Sequence, residues 1–194
     1  MVNCESERGY YLGMLKNILL GVSGSIAAYR AAELTSKLIR DGYAMKVIMT
    51  QNATEFISPL TFQTLTNNKV FVSQFAPIKD YDVEHVSLSK WADLAIIAPA
   101  TANIIAKISF GLADDALSST MLAFPQNKPR LIAPAMNTAM YQNIATQNNL
   151  TTLKQYGYKI IEPKEDNLAC GDVGKGAMAD IEKIVRSIAT LCDN

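Results

Sequence analysis

The chain has 194 residues, 49% of them apolar, and its 18 basic and 18 acidic side chains cancel to zero net charge. That is enough apolar material for one core and one domain, and no Lys/Arg run builds the one-sided field that nucleic acid or an anionic membrane would need. Cys4, Cys170 and Cys192 are odd in number and far apart, which fits neither a disulfide framework nor a zinc site and points to a reducing, cytoplasmic compartment without a metal centre.

Residues 1–15 show no periodic pattern and read as a disordered or extended tail, leaving residues 16–194 as the folded domain. Met14, just ahead of the first apolar run, is expected to be the natural start. Five short runs follow, NILLGV, AMKVIMT, DLAIIAP, RLIAP and YKII, each apolar on nearly every position. Strands of that kind are covered on both faces, and their alternation with helix-period segments predicts a three-layer α/β fold, a doubly wound, Rossmann-like parallel sheet. The first helix begins near Ala27, carries two alanine pairs four residues apart, and stops at Gly42. Ser58-Pro59 starts a second. VFVSQF reads as a weak strand, and a polar loop then leads to a short helix ending at Asp93. Pro99 is expected to end its strand, and the segment after it to form two helices broken near Gly111.

Open α/β sheets bind ligands beyond the carboxyl ends of their strands, and four loops fall there. GVSGSIAAYR places Gly21, Ser23, Gly24 and Ser25 between a strand and a helix, where backbone N–H groups can face an anion. Close packing of a small-residue turn explains the same pattern. No Gly-Lys-Ser/Thr follows, so this is not a Walker A loop. The second strand ends in Thr50-Gln51-Asn52, where a nicotinamide dinucleotide site would carry an acid, so a mononucleotide is favoured.

His85 is the sole histidine, and its unperturbed chemistry suits proton transfer near neutrality, although a lone histidine is more often a surface or core-edge residue. Thr101 and Asn103 open the helix after Pro99, either as a cap or as ligand contacts. Asn137, in PAMN at another strand end, either begins a helix or donates to a carboxylate without adding a charge. EDNLACGDVGKGAMAD carries Gly171, Gly174 and Gly176 and is a candidate glycine-hinged lid, with Cys170 as a thiol on it.

Five of these motifs, GVSGSIAAYR, HVSL, APATANIIAKISFGLADD, APAMNTAMY and ACGDVGKGAM, occur in the order and approximate spacing of the homo-oligomeric flavin-containing cysteine decarboxylases, which the chain resembles from about Lys16 to Leu191. Thr101 stands where that family commonly has Ser, Ile104 where Thr is frequent, and Tyr141 where Trp is common. The resemblance implies an FMN enzyme of coenzyme A biosynthesis that turns 4′-phosphopantothenoyl-L-cysteine into 4′-phosphopantetheine and carbon dioxide. In that family the flavin oxidises the thiol to a thioaldehyde, which accepts the electrons left by the carboxylate, and the resulting enethiol is then reduced. It further implies that His85 handles the proton of the oxidation, Asn137 binds the substrate carboxylate, and Cys170 donates the closing proton, all three converging on the flavin. FMN would be held by Ser23, Gly24, Ser25 and Ile26, by Thr50 and Asn52, and by Thr101, Ala102, Asn103 and Ile104 with Ala135. Substrate would contact Asn137, Met140, Ala169, Gly171, Lys175 and Met178. A homotrimer, or a multiple of one, with flavin near the subunit interface is implied as well. A peptidyl-cysteine decarboxylase of the same family is the near alternative. A flavin prenyltransferase fits less well because that group lacks PAMN, and a non-catalytic regulatory relative would typically carry long polar tails.

Overall fold

Residues 17–73, 84–167 and 173–192 are described by the computed structural model. The expected tail and Met14 lie outside them. The five apolar runs form β1 (Asn17–Val22), β2 (Ala44–Met49), β3 (Leu94–Ala100), β4 (Arg130–Pro134) and β5 (Tyr158–Ile160), in the order β2-β1-β3-β4-β5. Each pairing is parallel, so the chain must return over a face of the sheet between strands.

Both faces are therefore covered, which is why the runs are apolar throughout. Ile18, Leu20 and Val22 pack with Ala31, Leu34 and Leu38 of α1 (Ala28–Arg40), Phe62 of α2 (Pro59–Thr66) and Ile184 and Ile188 of α8 (Ile181–Cys192). Leu19, Ala95 and Ile97 point the other way. They meet Leu88 of α3 (Glu84–Trp91), Ile105 of α4 (Ala102–Ser109), Leu117 of α5 (Ala116–Ala123) and Leu153 of α7 (Ile144–Gln155). Gly42 ends α1 with φ of 92°, a conformation that costs glycine little.

Four sequence expectations change. Among the described residues of VFVSQF, Phe71 alone bridges, bonded on both sides to β2 through Met49 N–H and Val47 O, while Val70 turns into the core. Pro99 lies inside β3, because its missing N–H falls where the ladder to β4 shifts register between Ile97 and Ala100. The helix after PAMN splits into α6 (Thr138–Gln142) and α7, since Asn143 Oδ1 accepts from Ala145 N–H at 2.9 Å and starts a second cap.

The glycine-rich segment forms an antiparallel ribbon, β6 (Lys164–Asn167) with β7 (Val173–Ala177). Two of its glycines serve close packing. A Cβ on Gly174 would stand 2.6 Å from Thr138 Oγ1, and one on Gly176 would strike the Met136 carbonyl. Ala169, Cys170 and Gly171 lie outside the described residues.

Strand order reverses between β1 and β3. The loops leaving those strands diverge there and open a crevice at the carboxyl edge of the sheet.

Candidate functional site

The floor of the crevice is tied by one buried hydroxyl. Ser23, 1% exposed, donates from Oγ to Pro99 O at 2.8 Å and accepts from Thr101 N–H at 3.0 Å. It thus joins the ends of β1 and β3 through its hydroxyl while lining the chamber above. Around it is a polar chamber of about 370 Å³ that gathers Thr50 and Asn52 from the end of β2 with Thr101, Ala102, Asn103 and Ile104 at the start of α4. Thr50 and Thr101 are both caps, accepting from Ala53 N–H at 3.3 Å and Ile104 N–H at 3.4 Å. Gly24 lets the first loop touch the second, because a Cβ there would lie 2.6 Å from Asn52 Cβ. The positive end of α4 and these hydroxyls suit an anion such as a phosphate.

At the edge of this chamber Lys107 is held between Asp114 at 2.7 Å and Asp115 at 2.8 Å. Burial works to raise the Asp115 pKa, but the Lys107 ammonium and the Ser118 bonds outweigh it and hold the carboxyl below its usual range. The same carboxylate caps α5, accepting from Ser118 N–H at 2.8 Å.

A second, mostly apolar chamber of about 620 Å³ continues from the first, sharing Gly24, Thr101, Ala102 and Met140 with it. Ser25, Ile26, Ala135, Asn137 and Met178, all named above from the sequence, line it. Tyr29, Arg30, Phe56, Met136, Asp166 and Ala177 line it too, without having been singled out. Arg30 lay inside a quoted motif, and its spacing from Gly24 on α1 was the available signal. Phe56 gave none, since a 3-10 turn at Gln51–Glu55 carries it there.

Asn137 stands at the junction of β4 and α6. Its Oδ1 accepts from Ala139 N–H at 2.8 Å, so the helix-starting reading holds, and the same bond pins the amide in the wall of the apolar chamber. Lys175, expected to contact substrate, is engaged within the chain by an ion pair. Its ammonium sits 2.9 Å from the Glu162 carboxylate and 5.6 Å from the centre of the Tyr141 ring, and it is not among the residues that line the apolar chamber. His85 does not line either chamber. It is half-buried in the first turn of α3, a helix that packs beside α5 and puts Leu88 into the second core layer. Within one chain the imidazole and the amide are therefore not brought together, and Cys170 lies outside the described residues.

The two chambers fit a planar apolar group joined to an anionic end. The first offers hydroxyls, amides and a helix N-terminus, the second Ile26, Ala135, Met140 and Met178. Rim residues are unusually apolar for a surface: Ile26, Tyr29, Phe56 and Met140 are each about half exposed or more.

Comparison with known proteins agrees with that shape. A family model described as Flavoprotein matches residues 10–193. A protein of Streptococcus mutans named as a phosphopantothenoylcysteine decarboxylase is 49% identical over 175 residues, covering 90% of this chain and 98% of its own. The coenzyme A biosynthesis bifunctional protein of Bacillus subtilis is 49% identical over 171 residues, which make up 88% of this chain and 42% of that longer protein. Among solved structures, a mutant PPC decarboxylase complexed with pantothenoylaminoethenethiol superposes with a TM-score of 0.83 at 31% identity over 93% of this chain and 100% of its own. The FMN binding protein AtHal3 superposes with a TM-score of 0.79 at 32% identity, covering 93% of this chain and 98% of its own.

Proposed function

The chain belongs to the flavoprotein family, and on that premise we propose that it binds FMN and decarboxylates 4′-phosphopantothenoyl-L-cysteine to 4′-phosphopantetheine. The observation that carries this reading is Asn137, a neutral amide pinned by its own cap where the apolar chamber meets the strand ends. The similarity to the Streptococcus mutans protein over nearly its full length supports the small substrate.

The flavin phosphate belongs with Thr50, Asn52 and the α4 N-terminus, and the ring with Ile26, Ala135 and Met140. Bound there, flavin supplies the reversible two-electron sink without which the departing carboxylate would leave an unstabilised carbanion. Asn137 orients the substrate carboxylate by hydrogen bonding and adds no charge that must be desolvated. Met178, buried in the wall of the apolar chamber, keeps water from that carboxylate, which favours its loss as neutral carbon dioxide.

His85 holds the proton lost from the substrate, and it does so from a neighbouring subunit. One chain keeps its imidazole on α3 and its amide in the cleft, while the apolar rim of Ile26, Tyr29, Phe56 and Met140 offers a surface for a second copy. A trimer, or a multiple of trimers, closes such a head-to-tail contact. Cys170 is the proton donor of the last step, which fits a related mutant structure that holds an ethenethiol.

The test is direct. Purified protein should carry a yellow chromophore released as FMN, and incubation with 4′-phosphopantothenoyl-L-cysteine should give a product lighter by one carbon dioxide. Cys170→Ser should accumulate a species two hydrogens lighter still. Turnover of a peptide ending in cysteine but not of the phosphopantothenoyl compound would assign the substrate to the peptidyl class, and protein that stays colourless with added FMN would overturn the reading.

A further inference from the structure

Glu162 lies between β5 and β6, outside both chambers. Its Oε2 accepts a hydrogen bond from the Tyr141 hydroxyl at 2.7 Å and sits 2.9 Å from Lys175 Nζ. Lys154 of α7 approaches its other oxygen at 3.8 Å, and Lys183 of α8 donates to its backbone carbonyl at 2.9 Å. The carboxylate thus gathers α6, β7 and α7, and the backbone carbonyl of the same residue holds α8.

What makes the cluster consequential is where β7 goes next. Gly176 accepts from Met136 N–H at 3.0 Å, one residue before Asn137, and Gly174 presses on Thr138, one residue after it. The ribbon therefore grips the backbone on both sides of the amide. The grip is opposed, because Thr138 Oγ1 lies buried beneath Gly174 with no hydrogen-bond partner among the described residues. Something has to hold the ribbon down.

Resting on the decarboxylase reading, we propose that Glu162 is a positioning residue: through Lys175 and Tyr141 it latches β7 onto α6 and so fixes Asn137 against the substrate carboxylate. An isolated ion pair between side chains exposed by 41% and 43% would contribute little. This one shares its acceptor with a tyrosine only 5% exposed, which ties the pair to the core. Burial and the carboxylate together push the Tyr141 phenol up, so it stays a donor. Burial works to raise Glu162, but Tyr141, Lys175 and Lys154 outweigh it and keep the carboxyl below its usual range.

Hydrogen exchange of the Met136 amide in the flavin-loaded protein reads the latch without turnover. In E162Q and in K175M that exchange should rise about three- to tenfold, with kcat falling by a similar factor, KM moving less, and flavin retention unchanged. The double variant should be no worse than either single one, and K175R should restore the wild-type values. Unchanged Met136 exchange in both single variants overturns the latch, as does a double variant whose losses multiply. Because the exchange arm needs no substrate, a latch that holds in a protein that fails to decarboxylate would sink the functional reading alone.

Discussion

The two ends of the cleft are built by different means. At the polar chamber the strand ends are fixed by short-range bonds: Ser23 bridges β1 and β3, Thr50 N–H donates to Val22 O at 3.0 Å, and Thr101 caps α4. At the other end the wall is a two-stranded ribbon, a unit with little stability of its own. It is held by side chains from elsewhere, with Arg30 of α1 donating to Met178 O at 2.9 Å and Glu162 holding Lys175. A preorganised cofactor end and a side-chain-latched substrate end can therefore fail separately.

The sharpest way to separate them is Asn137→Asp. Aspartate caps a helix as well as asparagine does, so α6 and the chamber should keep their shape while a like charge faces the substrate carboxylate. Turnover should fall at least about a hundredfold, with the flavin absorption spectrum and its retention unchanged. Loss of flavin from this variant would mean that the two ends are not independent.

His85→Asn comes next, and it tests the subunit assignment. Alone it should lower kcat by about a hundredfold or more, the usual weight of a lost proton-transfer group. Mixed in equal amounts with Asn137→Asp and allowed to reassemble, it should recover about one quarter of wild-type activity, since one half of sites draw a good amide and one half of those a good imidazole. A mixture as inactive as its parts would place both groups in one chain.

The same division decides what could be read before the fold was seen. The parallel sheet was legible because both-face burial leaves a local mark, uninterrupted apolar runs such as NILLGV and DLAIIAP. The polar chamber was legible for the same reason, because caps and small-residue turns at Gly24, Thr50 and Thr101 are written within a few residues of where they act. The substrate end was not. Glu162 meets Lys175 and Tyr141 across 13 and 21 positions of sequence, and Arg30 reaches Met178 across 148. The ribbon glycines misled for a related cause: a hinge and a close backbone contact ask for the same residue, and only the neighbour across space, Thr138 or Met136, tells them apart.

Two glycine substitutions should sharpen the contrast, with effects smaller than those at the reacting groups. Gly24→Ala drives a methyl into Asn52 at the cofactor end and should weaken flavin binding about tenfold, the scale of overpacking a fixed backbone contact. Gly176→Ala drives one into the Met136 carbonyl at the other end. It should leave flavin bound while raising Met136 amide exchange and lowering kcat. If both variants lose flavin equally, the ribbon is part of the cofactor site.

The smallest effect concerns acid. Asp115 has a folded-state pKa below its ordinary value, so its contribution is complete above the ordinary carboxylate pKa and is lost as pH falls through the lower, folded one. Lys107 runs the other way: burial works to lower it, the two aspartates raise it on balance, and its contribution is complete at any pH below the ordinary lysine value. Near neutrality both are therefore fully present. Asp115→Asn keeps an acceptor for Ser118 N–H and removes only the charge that Lys107 faces, so the variant should melt a few degrees below wild type at about pH 7. That gap should begin to close below about pH 5 and vanish only once the pH has fallen below the lowered folded-state pKa of Asp115, where wild-type Asp115 is protonated and the two proteins become alike. Calorimetry of the two flavin-loaded proteins across that range checks it. A gap that persists in acid would show that the amide disturbs the cap itself, and that the edge of the polar chamber depends on the geometry of Asp115 more than on its charge.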